Sequence, residues 1–298
     1  MTVTTSPSSG DGDDRTVTVR VGRGLTSRHD LQGLPGAASR GLPRRVLVRL
    51  SAPHARADPA GHRPARPVIF TRDELLAHYP RADGAVLRAN FIASADGAVA
   101  VDGVSAGLQG PGDKEIFDHL RTICDALIVA AGTVRAERYD ALRLTGPDRA
   151  WRLAAGLPEF PLMVIVSGSL DLDPEQLIFA DAPVRPIVLT HRAAPADAPV
   201  RGVAEVIAVG DTEVDLAAGV RLLHGRGATR LLCEGGPGLF GALIAADLVD
   251  ELCLTVAPLL AGGAAGRIAH GPPTPPRRMS LRHALTRHDM LFLRYARN

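Results

Sequence analysis

Two stretches of this 298-residue chain hold residues whose types and spacing could do chemistry. The first is Ser94-Ala-Asp-Gly97, where Asp96 follows an apolar run and opens a Gly- and Ser-rich segment from Val99 to Gly112. An Asp-Gly pair there is either an ordinary turn or an anionic anchor or proton-transfer group facing a bound heterocycle. A hydride acceptor such as an iminium carbon carries positive charge, which a carboxylate in a partly dry site stabilises. The second stretch is Glu234-Gly235-Gly236-Pro237-Gly238, between the apolar run Thr229–Cys233 and a helically periodic segment, Leu239–Val249. It lacks side chains where something must come close to the backbone. Pro237 suits a first helical turn, whose unpaired N–H groups form an anion site. The turn therefore either receives a phosphate-bearing cofactor or is a tight joint that only packs.

Gly236-x-Gly238-x-x-Gly241 satisfies the dinucleotide fingerprint between a strand and a helix. The acidic residue that should follow about 20 positions on is missing, since that place falls in Leu254-Thr-Val256. The match is therefore read as incidental, with Glu234-Gly235-Gly236 as the informative part. Glu234 either touches a nicotinamide edge or ribose, or caps the following helix; capping is the preferred reading. Arg135, just after Gly132-Thr133, is placed to meet a 2′-phosphate with its planar fork or to lie on a solvated helix face. Lys114 and Arg121, seven apart on one helical face, are candidates for a substrate phosphate or a surface charge pair.

Other chemistries find no support. The ten histidines show no metal spacing, and His119 is expected to be partly exposed. Cys124, Cys233 and Cys253 are widely spaced in apolar segments, so neither a zinc site nor a disulfide framework is expected. No GxSxG, Walker A or zinc-deaminase signature occurs, which leaves hydrolase and kinase readings unsupported. With 34 basic and 32 acidic residues, bulk charge forces no partner. Neither a long apolar run nor an N-terminal signal pattern occurs, so a cytoplasmic protein is expected.

Residues 1–66 carry 11 arginines against five aspartates and read as a mostly flexible basic extension. Within it, Thr16–Val21 and Arg45–Leu50 alternate as short strands do. No aromatic residues interleave with its arginines, so nucleic acid is not the expected partner. An ordered domain, residues 67–298, should follow. Thr71-x-x-Glu74 is a capping box opening a helix that ends at Tyr79-Pro80. Strands are predicted at Val86–Ala93, Asp125–Ala130, Leu162–Val166, Pro186–Leu189, Glu205–Val209, Thr229–Cys233 and Glu251–Val256. Helices are predicted at Pro111–Thr122, from Ala131, from Val214 to about His224, and from Leu239. Met279–Leu285 and Met290–Ala296 form a terminal hairpin turning near His288. Alternating strands and helices make a largely parallel sheet, whose ligands bind beyond the carboxyl ends of the strands. Four such ends carry small or hydroxyl residues: Gly132-Thr133, Ser167-Gly168, Thr190 and Gly235-Gly236.

Taken in order, Ser94-Ala-Asp-Gly97, Leu120-Arg121, Asp125–Val134, Leu231–Gly236 and Asp250–Gly262 resemble the reductase domain of bacterial riboflavin biosynthesis. The resemblance is to the RibD C-terminal family, and more closely to its stand-alone pyrimidine reductases. It implies a dihydrofolate-reductase-like α/β fold, with a mixed, mostly parallel central sheet, flanking helices and a C-terminal antiparallel hairpin. It also implies a homodimer and NADPH-dependent reduction of 5-amino-6-(5-phosphoribosylamino)uracil or a related pyrimidine. Reduction of a pterin such as dihydrofolate, or non-catalytic nucleotide binding, are the alternatives. By resemblance Asp96 is the catalytic, substrate-contacting aspartate. Gly132, Thr133 and Val134 form the cofactor joint, Ser167 is a further cofactor contact, and Glu234, Gly235 and Gly236 lie against the nicotinamide and pyrophosphate. Related folds carry a cis peptide between the paired glycines, so one is expected between Gly235 and Gly236. The riboflavin enzymes commonly place Ser-Arg, near the substrate phosphate, where this chain has Asp113-Lys114.

Overall fold

The computed structural model describes residues 70–137 and 139–298, with three short N-terminal strands, β1 (Thr2–Thr5), β2 (Thr16–Arg20) and β3 (Val48–Arg49). The expected flexible extension, residues 1–66, lies outside the described residues apart from those strands. β2 and β3 fall on the two alternating runs.

From Phe70 the chain alternates as its hydrophobic pattern requires. Helix α1 (Arg72–His78) opens with both halves of the Thr71/Glu74 capping box. Strand β4 (Val86–Ser94) leads through the Asp96 turn to α2 (Asp113–Ile123). Then come β5 (Ala126–Ala130), α3 (Ala131–Ala136), α4 (Gly146–Ala154), β6 (Leu162–Val166), α5 (Leu177–Ala180), β7 (Ile187–Thr190) and β8 (Glu205–Ala208). Helix α6 (Leu216–Gly225), β9 (Arg230–Cys233), α7 (Pro237–Ala245), β10 (Glu251–Ala257) and the hairpin β11 (Ser280–Arg287)–β12 (Met290–Ala296) complete it. The hairpin turns on His288 and Asp289, both in the left-handed region at φ 44° and 66°, as a two-residue turn demands.

The sheet runs β11-β12-β10-β4-β9-β5-β6-β7-β8, with β3, β2 and β1 beyond β11. From β10 to β8 every neighbouring pair is parallel, whereas β12 is antiparallel to both β10 and β11. The parallel strands thus place all their carboxyl ends along one edge.

Period-two alternation sorts the side chains onto two faces. In β5, Leu127 and Val129 enter a core with Ile116 and Leu120 of α2, while Ala126 and Ile128 enter a second core with Leu223 of α6 and Phe240 of α7. Strand β6 divides likewise, Met163 and Ile165 against Val164. Full burial of each such aliphatic side chain contributes about 1.5–3 kcal/mol, so a one-residue slip in register is strongly disfavoured.

Sequence reading missed two elements and misplaced one side chain. Helix α4, capped by Thr145 with Pro in its first turn, and the short α5 lie where only a connection was expected. His119 is 4% exposed, not partly exposed. One of its ring nitrogens lies 2.9 Å from the Tyr79 carbonyl oxygen, and burial above all pushes its pKa down to about 4. The helical wheel places His119 beside Leu120 but does not reveal that α1 covers that flank.

Candidate active site

The four small or hydroxyl-bearing strand ends belong to β9, β5, β6 and β7, consecutive neighbours in the parallel sheet. Their joints therefore line one continuous edge. At its centre the β5–β9 ladder continues past both strands. The Glu234 N–H donates to the Ile128 carbonyl at 3.1 Å, and the Ala130 N–H to the Gly235 carbonyl at 2.8 Å. The Gly235–Gly236 peptide is cis, as the resemblance implied. Gly235 has φ 101°, where an L side chain is strained, and a Cβ on Gly236 would lie 2.6 Å from the Thr133 hydroxyl oxygen. The two joints meet with no room for a methyl group between them.

Gly236 forms the N-cap of α7 with no side-chain cap, so this helix start keeps its orphan N–H groups. The preferred capping role for Glu234 is therefore incorrect. Its carboxylate is 3% exposed and turns back towards α2, where Arg121 donates from Nε to Oε1 at 2.9 Å and from Nη2 to Oε2 at 2.6 Å. Tyr139 joins them, its hydroxyl bonded to Glu234 Oε2 and lying 2.6 Å from Arg121 Nη2. The guanidinium also lies 3.9 Å from the centre of the half-buried Phe117 ring. Burial opposes the charge on Arg121, but the Glu234 carboxylate outweighs it and raises the guanidinium pKa. Tyr139 had no sequence signal, because the partners that give it meaning lie 18 and 95 positions away.

Other candidates are distributed along the edge. Gly132 has open space around its Cβ position, whereas the Val134 side chain is fully buried, leaving only its backbone for a ligand. Arg135 donates to the Asp171 carbonyl at 2.6 Å, with the Asp171 carboxylate at 3.7 Å. The Ser167 hydroxyl accepts from the Leu170 N–H at 3.0 Å. Next to it, among the described residues, the Thr190 hydroxyl and His191 Nδ1 are buried without a hydrogen-bond partner. Lys114 and Arg121 are not brought together: Lys114 is exposed and pairs with Asp118 at 2.7 Å, while Arg121 faces Glu234.

Asp96 stands beyond β4 on the same edge. It accepts from the Ser94 hydroxyl, from the Ala261 N–H at 3.1 Å and from the Gly262 N–H at 2.8 Å. These bonds to its ionised form, Ser94's foremost, lower its pKa to about 2. Its carboxylate borders a cleft of about 490 Å³ lined by Ala93, Gly97, Leu254, Gly262, Arg267 and Ile268, among others. Beyond Ile268 the chain is tied to α7. His270 donates to the Pro237 carbonyl at 3.0 Å, and a Cβ on Gly241 would lie 2.1 Å from the His270 carbonyl oxygen. Gly241 thus serves close packing, as expected of an incidental fingerprint match. Arg267 was overlooked, although it is the only Asp, Glu, Lys or Arg between Leu252 and Pro276.

Among the described residues no cluster of His, Cys, Asp and Glu is suited to a metal, and no helix is long and apolar enough to cross a membrane. Burial pushes the thiols of Cys124, Cys233 and Cys253 up to about 12.

A family model described as RibD C-terminal domain matches residues 85–291. A 2,5-diamino-6-ribosylamino-4(3H)-pyrimidinone 5′-phosphate reductase from Archaeoglobus fulgidus is 35% identical, over 51% of this chain and 69% of its own length. The protein of the same name from Methanothermobacter thermautotrophicus is 33% identical, over 58% of this chain and 78% of its own. Among solved structures, a pyrimidine reductase-like protein from Corynebacterium diphtheriae superposes with a TM-score of 0.67 at 24% identity, covering 74% of this chain and 97% of that one. That likeness bears on the fold, which has the sheet, the flanking helices and the terminal hairpin expected.

Proposed function

The chain belongs to the RibD C-terminal domain family, and from that premise we propose that it is an NADPH-dependent reductase of a ribosylaminopyrimidine 5′-phosphate in riboflavin biosynthesis. We assign this activity to residues 67–298. The observation that carries the reading is Asp96, a pinned, ionised carboxylate over a cleft on the same sheet edge as the paired-glycine turn.

The edge fits a dinucleotide on three counts. Gly132 has open space where a Cβ would stand, α7 starts without a side-chain cap, and among the described residues the buried Thr190 hydroxyl has no partner. Gly132, Thr133, the Val134 backbone, Ser167, Gly235 and Gly236 would hold the cofactor, with Arg135 at its rim. When bound, NADPH supplies a hydride.

Asp96 faces the substrate. With a pKa of about 2 it has no proton to give at neutral pH, so its role is electrostatic: it stabilises positive charge at the C=N carbon that receives the hydride. Ser94 and the Ala261 and Gly262 amides hold that charge in place beforehand, so it needs no reorganisation during the reaction. Glu234 acts through the turn it anchors, not by touching the pyrimidine.

We place the protein in the cytoplasm as a homodimer. Leu254–Leu293 and Val256–Leu291 are half-buried cross-strand pairs outside both cores, and nearby Leu260 is 84% exposed. Light scattering should give twice 31.3 kDa; a monomer would refute the dimer.

Absorbance monitoring of NADPH oxidation tests the activity against the aminouracil and diaminopyrimidinone ribotides, with dihydrofolate alongside. Turnover of a ribotide is expected. Turnover of dihydrofolate alone would replace this reading with pterin reduction.

A further inference from the structure

Two residues of opposite charge, Asp96 and Arg267, line the cleft. Other cations of the domain are committed. Lys114 pairs with Asp118, Arg121 with Glu234, Arg135 with Asp171 and Arg192 with Asp211. The start of α2 disfavours an anion, because its first turn carries Asp113 and Glu115. Among the described residues Arg267 has no hydrogen bond or ion pair.

Its backbone, by contrast, is held on both sides. Upstream, the Ala261 and Gly262 amides bind Asp96; downstream, Ile268 packs on the second core and His270 bonds Pro237 against the bare Cα of Gly241. Among the described residues the exposed Arg267 guanidinium is unpaired where it lines a cleft of ligand size, and such clefts orient ligands through a few placed polar groups.

We infer that Arg267 holds the anionic end of the substrate, a phosphate monoester, in the cleft it lines with Asp96. This rests on the reductase reading above. A guanidinium stays charged at any working pH, and its planar fork matches phosphate oxygens. The ionised Asp96 repels the same phosphate. Together the two charges favour one orientation: the carbon that becomes cationic lies at the carboxylate and the phosphate at the guanidinium. This polarity selects phosphorylated over dephosphorylated substrate.

The test compares wild type with Arg267→Gln and Arg267→Lys on the ribosylaminopyrimidine 5′-phosphate and its dephosphorylated counterpart. Loss of a charge-assisted contact of this kind should raise KM for the phosphorylated substrate about 10- to 100-fold in Arg267→Gln. The value for the dephosphorylated compound, the Kd of NADPH and kcat should change little. Arg267→Lys should recover part of the loss. An unchanged preference for phosphate, or a weakened NADPH affinity in its place, overturns the inference. If wild type reduces neither compound, the reductase reading fails by itself, and calorimetry with ribose 5-phosphate decides the site separately. Binding lost in Arg267→Gln keeps the anion site; no binding to wild type, or equal binding to both, removes it.

Discussion

Replacing Arg121 by Met should destabilise the protein far more than removal of a surface ion pair. The guanidinium makes two hydrogen bonds of 2.9 and 2.6 Å to a carboxylate that is 3% exposed, and its own side chain is 16% exposed. Methionine keeps part of the aliphatic stem but leaves Glu234 buried with only the Tyr139 hydroxyl. Breaking one side of such a pair costs about 3–5 kcal/mol, against about 0–1 kcal/mol for an exposed pair. The contact with the Phe117 ring adds about 0.5–2 kcal/mol. For a domain of this size each kcal/mol moves Tm by about 2–4 °C, so a fall of at least about 6 °C is expected. Chemical denaturation measures the same quantity as ΔG. The double variant Arg121→Met/Glu234→Leu should regain much of the loss, because two apolar partners replace two paired charges at little net cost. A loss below about 1 kcal/mol in the single variant, or strict additivity in the double, would refute the claim that a buried, coupled pair anchors the glycine turn.

Asp96→Asn should lower kcat far more than NADPH affinity; equal losses in both, or none, would remove Asp96 from the reaction. Gly236→Ala places a methyl group 2.6 Å from the Thr133 hydroxyl oxygen, so Thr133 must rotate or the β9–α7 and β5–α3 joints must part, and NADPH should bind more weakly by fluorescence titration. An unchanged Kd would show that this contact is not part of the cofactor floor. His119 has its pKa lowered from 6.5 to about 4 by burial, with Arg88 and Arg72 adding to the shift. Between these values the unfolded chain binds a proton that the folded chain does not, so stability is lost as pH falls from 6.5 towards 4. The difference amounts to at most about 3 kcal/mol; His119→Gln should flatten that part of the stability profile, and an unaltered slope would place the titration elsewhere.

Local patterns in the sequence correspond well to local structure. The capping box before α1, the Pro237 start of α7, the short apolar parallel strands and the two-residue hairpin turn all express backbone preferences acting over a few residues. Helix α4 escaped notice although Thr145 and Pro147 mark its start, because its apolar residues do not mark the buried face: Leu153 is exposed while Arg152 is buried and donates to the Thr122 and Cys124 carbonyls. Glu234 was misread for a related reason. A carboxylate just before a helix is a reasonable cap, and nothing nearby in sequence announces a competing guanidinium 113 positions earlier.

The sequence by itself determined which strand ends bear glycine and hydroxyl residues, that Asp96 follows a strand, and that strands and helices alternate into a parallel sheet. Those properties follow from residue type and short-range spacing. Only the tertiary structure decided the charges around the site. It committed Arg121 to Glu234 and Lys114 to Asp118, held Asp96 with amides 165 and 166 positions away, and left Arg267 without a partner among the described residues at the cleft. Whether a charge binds a ligand or a neighbour depends on distance and desolvation, which the sheet's crossovers set and which spacing along the chain does not encode.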